Sequence, residues 1–310
     1  MINRVLIRLK VVQIVYAYYK NSGKSVKAAE DEMFFSLSKA CDLYHYLLLL
    51  MPGIKHYAAD RISFLGMKVR PTESDMNPNL KFVNNRFVAQ LEKIEQLVKF
   101  AEKSKLNWVD QSDFLRRLLD KIEASEIYKE YMESGVDSYE EDKELWRKLY
   151  KAFVFDNEEL DDLIEEQSLY WNDDKAIVDT FVIKTIKRFK ATDEDELPLL
   201  DMFETEEELS FGKNLLQWSI EMSDDNKNLI AKSLQNWEAD RVAYMDQIIL
   251  LVALAEIRQC NEIALEISMN EYIELAKEYS SDKSHIFING VLNRIVNDLR
   301  SENKLFKVVR

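Results

Sequence analysis

The chain has 310 residues, of which 47% are hydrophobic and 32% charged, and its net charge is −14. Its six glycines and four prolines are too few for an architecture of strands and turns, so we predict an all-α protein. The first residues are too charged for a secretory signal and no run of about 18 apolar residues occurs, which argues against secretion and membrane spanning and favours a cytoplasmic protein.

The charges are unevenly distributed along the chain. Residues 1–29 carry six cations and no acid, whereas residues 156–166 carry seven acids and residues 193–208 carry nine, in both cases without a base. This asymmetry indicates a basic functional surface near the N-terminus and acidic segments elsewhere in the chain.

The first predicted helix spans about residues 3–20. Its apolar stripe consists of Val5, Leu9, Val12, Tyr16 and Tyr19. Arg4 and Arg8 lie one turn apart, where like charges repel slightly, so a bound anion or an acidic neighbour would explain the pair. The alternative is that both arginines are simply solvated.

The middle of the chain predicts a series of helices. One long helix should run from Val26 to Met51 and end at Pro52 and Gly53, and residues 66–87 are typical of a loop. Helical spacing recurs in the segments 87–103, 113–132, 143–155, 158–170 and 174–189. The tryptophans of this region are expected in the core rather than in a cofactor site; they are Trp108, Trp146 and Trp171.

No catalytic residue, cofactor site or metal site is predicted. The chain has no nucleophile elbow, P-loop, Rossmann glycine pattern or zinc spacing. His45 and His285 each follow an aspartate by three residues, as in some di-metal bundles, but no further carboxylate is spaced to complete such a site. Cys41 and Cys260 lie in apolar helical patterns and are expected to be buried free thiols.

Residues 267–296 predict two helices joined by a short turn. Ser268, followed three residues later by Glu271, predicts a capping box at the start of the first helix. The second helix has one apolar stripe, formed by Ile288, Val291, Leu292, Ile295 and Leu299.

A second face of this last helix carries Lys283, Phe287, Gly290 and Arg294 at spacings of four, three and four. A glycine inside a helix costs about 1 kcal/mol relative to alanine, so something is expected to approach closely at Gly290. The approach could be a tight helix crossing with Phe287 half buried in it. It could also be an unpaired base or a partner protein, because an aromatic ring flanked by cations is typical of surfaces that stack on single-stranded nucleotides.

The segment NEYIELAKEYSSDKSHIFINGVLNRI, residues 270–295, resembles the C-terminal signature of the NusB family of bacterial transcription antitermination factors. Three further segments are similar to family helices: WEADRVAYMDQIILLVALAEI, with Trp237, Arg241 and Asp246; LSFGKNLLQ; and KVVQIVYAYY near the N-terminus. The resemblance implies an all-helical NusB-like bundle with a large helical insertion. Its expected parts are residues 1–50 and 205–300, with an insertion at 51–204 and a tail at 301–310.

The resemblance also implies a function. Proteins of this family pair with NusE, a ribosomal protein of the small subunit, and bind single-stranded boxA RNA within the antitermination complex of RNA polymerase during ribosomal RNA synthesis. It places the RNA contacts at Arg4, Arg8, Lys10, Lys283, Ser284, Phe287 and Asn289, and a NusE contact at Asp246. Val5 and Leu6 stand where the family usually has arginine, so a non-catalytic helical adaptor that binds only protein is the alternative.

Overall fold

The structure is a computed structural model that describes residues 1–21, 25–192, 199–203, 205–234, 242–305 and 307. Within these ranges the chain forms helices and no strand, apart from one isolated bridge between Ile2 and Phe203. The all-α prediction is therefore confirmed. The helices, in chain order, are α1 (Arg4–Lys20), α2 (Val26–Gly66), α3 (Glu73–Met76), α4 (Arg86–Leu91), α5 (Glu95–Lys103), α6 (Ser112–Ala124), α7 (Glu126–Glu133), α8 (Tyr139–Phe153), α9 (Glu158–Gln167), α10 (Lys175–Arg188), α11 (Glu206–Glu221), α12 (Ser223–Ser233), α13 (Tyr244–Gln259), α14 (Leu265–Tyr279) and α15 (Ser284–Ser301).

The chain folds into two compact units. The first unit contains Met1 and Ser38–Met202, and the second contains Ile2–Leu37 and Phe203–Arg310. Across the described ranges, no helix is both long enough and apolar enough to cross a lipid bilayer.

Helix α2 does not end where the sequence predicted. Pro52 lies inside the helix, which continues to Gly66, so the prediction of a helix end at residues 52 and 53 is wrong. Trp108 packs against this part of the helix: a Cβ at Gly53 would lie 2.9 Å from the Trp108 Cβ, and the indole N–H donates to the Tyr46 carbonyl at 2.8 Å. Local sequence signals at Pro52 and Gly53 therefore do not decide where this helix ends.

The other helices of the first unit follow the predicted segments, with two breaks. Segment 87–103 forms α4 and α5, and segment 113–132 forms α6 and α7. Ser125 causes the second break, because its side chain accepts a hydrogen bond from the Tyr128 N–H and caps α7. Between the end of α2 and the start of α4, the predicted loop 66–87 contains one short helix, α3, which has a capping box at Thr72.

An aromatic cluster forms part of the core of the first unit. Trp108, Trp146 and Trp171 are all buried, which confirms their predicted place. Tyr46 stacks on Trp108 at 4.2 Å between ring centroids and on Trp171 at 5.5 Å.

Two buried polar contacts join α8 and the residues after it to α10. The Tyr150 hydroxyl donates to Asp179 at 2.7 Å, and the Lys175 ammonium donates to the Val154 carbonyl at 3.0 Å and to Asp179 at 2.9 Å. Burial raises the pKa of Asp179, and the nearby Lys175 and Tyr150 oppose that rise. These bonds fix the spacing and rotation of α10 relative to α8.

Helix α13 is at the centre of the second unit. All its residues from 248 to 257 are buried, and it packs against α1, α11, α12, α14 and α15. Because both α11 and α13 cover α1, that helix is buried on most of its surface rather than on one stripe. Val5 was predicted to belong to the buried stripe but is 37% exposed, so that part of the prediction is wrong.

Candidate nucleic-acid interface

Helix α15 presents the clearest candidate surface. Its predicted core stripe is confirmed, since all five apolar residues of that stripe are buried. On the other side Lys283, Asn289, Gly290 and Arg294 are exposed and Phe287 is half buried. The Arg294 guanidinium donates to the Ser233 carbonyl at 3.0 Å, which holds the end of this side chain against the last residue of α12. We call the surface formed by Lys283, Phe287, Gly290 and Arg294, together with Asn289 on the adjoining side of the helix, the α15 face.

Gly290 has no close neighbour among the described residues. Leaving aside the backbone of its own helix turns, a Cβ built at this position would meet no atom of the described part of the chain within 4 Å. A tight crossing with one of the described helices is therefore wrong as the explanation for this glycine. The neighbouring Ile286 is 65% exposed, so α15 also offers an apolar contact that the sequence pattern did not single out.

Ser284 and Asp246 bind each other. The Ser284 hydroxyl donates to one carboxylate oxygen of Asp246 at 2.9 Å, and the Ser280 hydroxyl donates to the other at 2.5 Å. Ser284 is 2% exposed and Asp246 is 5% exposed. The predicted roles of Ser284 in RNA contact and of Asp246 in NusE contact do not fit this burial, because both side chains are used to fasten the α14–α15 turn to α13.

Arg8 belongs to a buried polar network. Its guanidinium donates to both oxygens of Glu256, at 2.8 and 2.9 Å, and lies 3.5 Å from the Glu271 carboxylate. The Ser268 and Tyr272 hydroxyls also donate to Glu256, at 2.6 and 2.8 Å. We call Arg8, Glu256, Ser268 and Tyr272 the Glu256 network.

Burial and these hydrogen bonds shift the pKa values of ionisable groups in the network and of Lys307 beside it. Burial opposes the charge on Glu256, but the hydrogen bonds from Arg8 and the two hydroxyls outweigh it and lower the pKa of the carboxyl group. Burial also lowers the pKa of Lys307, whose ammonium donates to the Ser268 hydroxyl at 2.8 Å. The pKa of Tyr272 is raised, by burial and by the adjacent Glu256 carboxylate.

Three of the predicted RNA contacts are therefore buried: Arg8 and Lys10 at 2% exposure each, and Ser284. For Arg8 the acidic neighbour proposed from the sequence is found, and it is Glu256. Arg4 is only partly buried, and its guanidinium lies 5.4 Å from the centre of the Phe211 ring. Of the three predicted RNA contacts in α1, which are Arg4, Arg8 and Lys10, only Arg4 is accessible to a phosphate.

The chain is similar to known transcription antitermination proteins, and the family match lies in its C-terminal part. The family model described as "NusB family" matches residues 176–297. The transcription antitermination protein NusB of Bacillus subtilis (strain 168) is 40% identical over 89 residues, which are 29% of this chain and 68% of that protein. The chain belongs to the NusB family. The NusB of Bacillus pumilus is 41% identical over 96 residues, 31% of this chain and 69% of that protein, and the NusB of Chloroherpeton thalassium is 41% identical over 78 residues, 25% of this chain and 37% of that protein. No solved structure matches.

Most acids of the two runs that the structure describes lie in helices; Asp156 and Asp201 lie outside them. Residues 158–166 lie in α9, and Glu206, Glu207 and Glu208 form the first turn of α11, where carboxylates complement the positive end of the helix dipole. Residues 193–198 and Glu204, like Trp237 and Arg241 of the NusB-like segment, lie outside the described residues.

Sequence reasoning missed Glu256, Tyr272 and Lys307, and it misplaced Ser268. Helix α14 begins at Leu265, so Ser268 is internal to it and no capping box forms with Glu271. The signal for Glu256 was present in the sequence, because it is the single charged residue in the apolar run 248–257. Such a residue is almost never fully buried unless it is paired.

Other candidate chemistry is weaker. Over the residues that the structure describes, no group of three or more His, Cys, Asp or Glu side chains is placed to hold a metal ion. Cys41 and Cys260 are free thiols as predicted; Cys260 is buried and Cys41 is partly so.

Proposed function

We propose that this chain is a non-catalytic, RNA-binding antitermination factor that acts with NusE on boxA-like RNA within the RNA polymerase antitermination complex, during ribosomal RNA transcription. The observation that carries the proposal is the α15 face. Lys283 and Arg294 provide cations, Asn289 provides hydrogen-bonding groups, and Phe287 provides a partly exposed ring beside the open space at Gly290. This combination suits an unpaired base with its phosphates.

The proposal predicts modest salt dependence. Arg4, Lys283 and Arg294 are the cations of the proposed site that are not buried. At about −0.7 per phosphate contact, three contacts give a slope of log affinity against log salt concentration of about −2.

Binding of a fluorescein-labelled boxA RNA, followed by anisotropy with and without NusE, tests the proposal, and a scrambled RNA serves as the reference. Phe287→Ala should weaken binding by about 1–3 kcal/mol, the range for loss of one stacked aromatic. Phe64→Ala is the matched control, because Phe64 is 73% exposed and lies in the first unit. If Phe287→Ala keeps wild-type affinity and loses several kcal/mol of stability, the ring has a packing role and the proposed site is wrong.

The burial of Arg8 and Lys10 favours one second candidate, a helical adaptor that binds NusE or another protein and no RNA. The exposed Ile286 would then form part of a protein contact. Calorimetric binding of NusE, together with no boxA binding even at low salt, would support the adaptor over the RNA-binding factor.

A further inference from the structure

A groove between α8 and α10 in the first unit carries a charge opposite to that of the whole chain. It encloses about 670 Å³ and its walls include four cations, Lys151 from α8 and Lys184, Lys187 and Arg188 from α10. No carboxylate is among its lining residues within the described part of the chain. The full sequence, by contrast, has 56 acidic and 42 basic residues.

The charge of the groove has a physical consequence. A concave surface with low-dielectric walls and one sign of charge concentrates the electrostatic potential and attracts ions of the opposite sign. Because the three α10 cations lie at positions 184, 187 and 188, they share one side of that helix and act on the same volume. The groove is therefore suited to a polyanion rather than to a single small ion.

The groove also has an apolar floor and fixed walls. Phe155 and Ile183 are among its lining residues. The buried bonds from Tyr150 to Asp179 and from Lys175 to the Val154 carbonyl hold α8 and α10 at constant spacing. A groove of this kind does not have to form when a ligand arrives, which reduces the entropic cost of binding.

We propose that this groove binds the backbone of single-stranded RNA, with the cations on the phosphates and Phe155 against a base. A positive groove combined with an aromatic side chain is the arrangement by which proteins bind single strands without strong sequence preference. The planar guanidinium of Arg188 can donate two parallel hydrogen bonds to one phosphate. This inference rests on the proposed function, since it concerns the same ligand. It assigns a second RNA surface to the first unit, and one of the two helices that form this surface, α8, lies outside the family match.

The test compares two triple variants of the full chain with labelled boxA RNA and with a uridine 20-mer. The groove variant is Lys151→Gln, Lys187→Gln, Arg188→Gln. The control is Lys68→Gln, Lys121→Gln, Lys129→Gln, which removes the same charge from first-unit lysines that are 43–56% exposed and already have a carboxylate partner. With three groove contacts added to the three of the α15 site, the wild-type slope should be about −4, at about −0.7 per contact. At about 0.1 M salt each phosphate contact contributes a factor of about five, so the groove variant should lose up to about 100-fold in affinity and its slope should fall to about −2, the value of the α15 site alone.

Further variants separate this inference from the proposed function. Replacing Lys151 and Lys187 by arginine should keep the affinity, and Phe155→Ala should weaken binding to both RNAs. If the groove variant keeps the wild-type slope while Phe287→Ala loses boxA affinity, the groove inference is overturned and the α15 site stands. If Phe287→Ala has no effect while the groove variant loses affinity, the proposed α15 site is overturned and the groove inference stands. Tighter binding of poly-L-glutamate than of the uridine 20-mer would overturn RNA as the ligand and assign the groove to an acidic protein segment.

Discussion

Replacing Arg8 by methionine separates a structural role of this side chain from a role in RNA binding. In the structure the guanidinium donates two hydrogen bonds to Glu256, at 2.8 and 2.9 Å, and the two side chains are 3% and 0% exposed. Methionine fills similar space but leaves the Glu256 charge buried, with only the Ser268 and Tyr272 hydroxyls as side-chain donors to it. Removing one partner of a buried ion pair costs about 3–5 kcal/mol, a large fraction of the stability of a domain.

Urea unfolding followed by circular dichroism measures this loss, and hydrogen exchange locates it. Peptides from α13 and α14 should lose protection, while peptides from the first unit provide an internal reference. Arg4→Met is the matched control: its guanidinium is partly exposed and lies over the Phe211 ring, so we expect a loss of only about 0.5–1 kcal/mol.

A double variant tests whether the unpaired, buried Glu256 carboxylate causes the loss of stability in Arg8→Met. Adding Glu256→Gln to Arg8→Met removes the unpaired carboxylate, so the double variant should be destabilised by less than the sum of the two single changes. Strict additivity would contradict this reasoning. So would an Arg8→Met protein that unfolds within about 1 kcal/mol of wild type and has lost its RNA affinity, because Arg8 would then be the RNA contact predicted from the sequence.

Three further outcomes are expected. Gly290→Ala should stabilise the protein by up to about 1 kcal/mol in thermal or urea unfolding, since the added methyl meets no atom of the described residues within 4 Å; a loss of stability would show that another part of the chain packs against Gly290. Gly53→Ala should destabilise the first unit by about 1–3 kcal/mol, because its Cβ would lie 2.9 Å from the Trp108 Cβ; Gly135→Ala, where nothing lies within 4 Å, is the control. Because the folded-state pKa of Glu256 is lowered, its stabilising contribution is complete above the unfolded pKa of about 4.3 and is lost as the pH falls through the folded value. Hydrogen-exchange protection of α13 should therefore decline below about pH 4.3, and Glu256→Gln should flatten that decline.

Local patterns were sufficient to predict α15. Its apolar residues recur at offsets that suit one buried face, and the structure buries all of them. The same method failed for α1, because that helix is apolar on nearly every side and its periodicity carries little information. Whether Arg8 is solvated or paired depends on Glu256, which is 248 residues away along the chain, and no local spacing encodes that contact.

Local sequence patterns also failed to predict where some helices end, because contacts with distant residues are involved. Pro52 is a strong stop signal in isolation, yet α2 continues through it to Gly66, and Trp108 packs onto the turn that contains Gly53. Ser284 and Asp246 were assigned to different partners because a family signature gives the identity of residues and not their exposure. The domain limits proposed from the sequence, at residues 50, 204 and 300, stay a prediction.

The Glu256 network has a consequence for natural variation. The carboxylate accepts four hydrogen bonds, two from Arg8 and one each from Ser268 and Tyr272, which is its full capacity. A change at one of these positions leaves a buried polar group without a hydrogen-bond partner. Replacing several of them together by apolar residues can avoid that cost. Relatives that share this network should therefore keep all four side chains or exchange several together, so that positions 8, 256, 268 and 272 covary as one unit across helices that lie far apart in the chain.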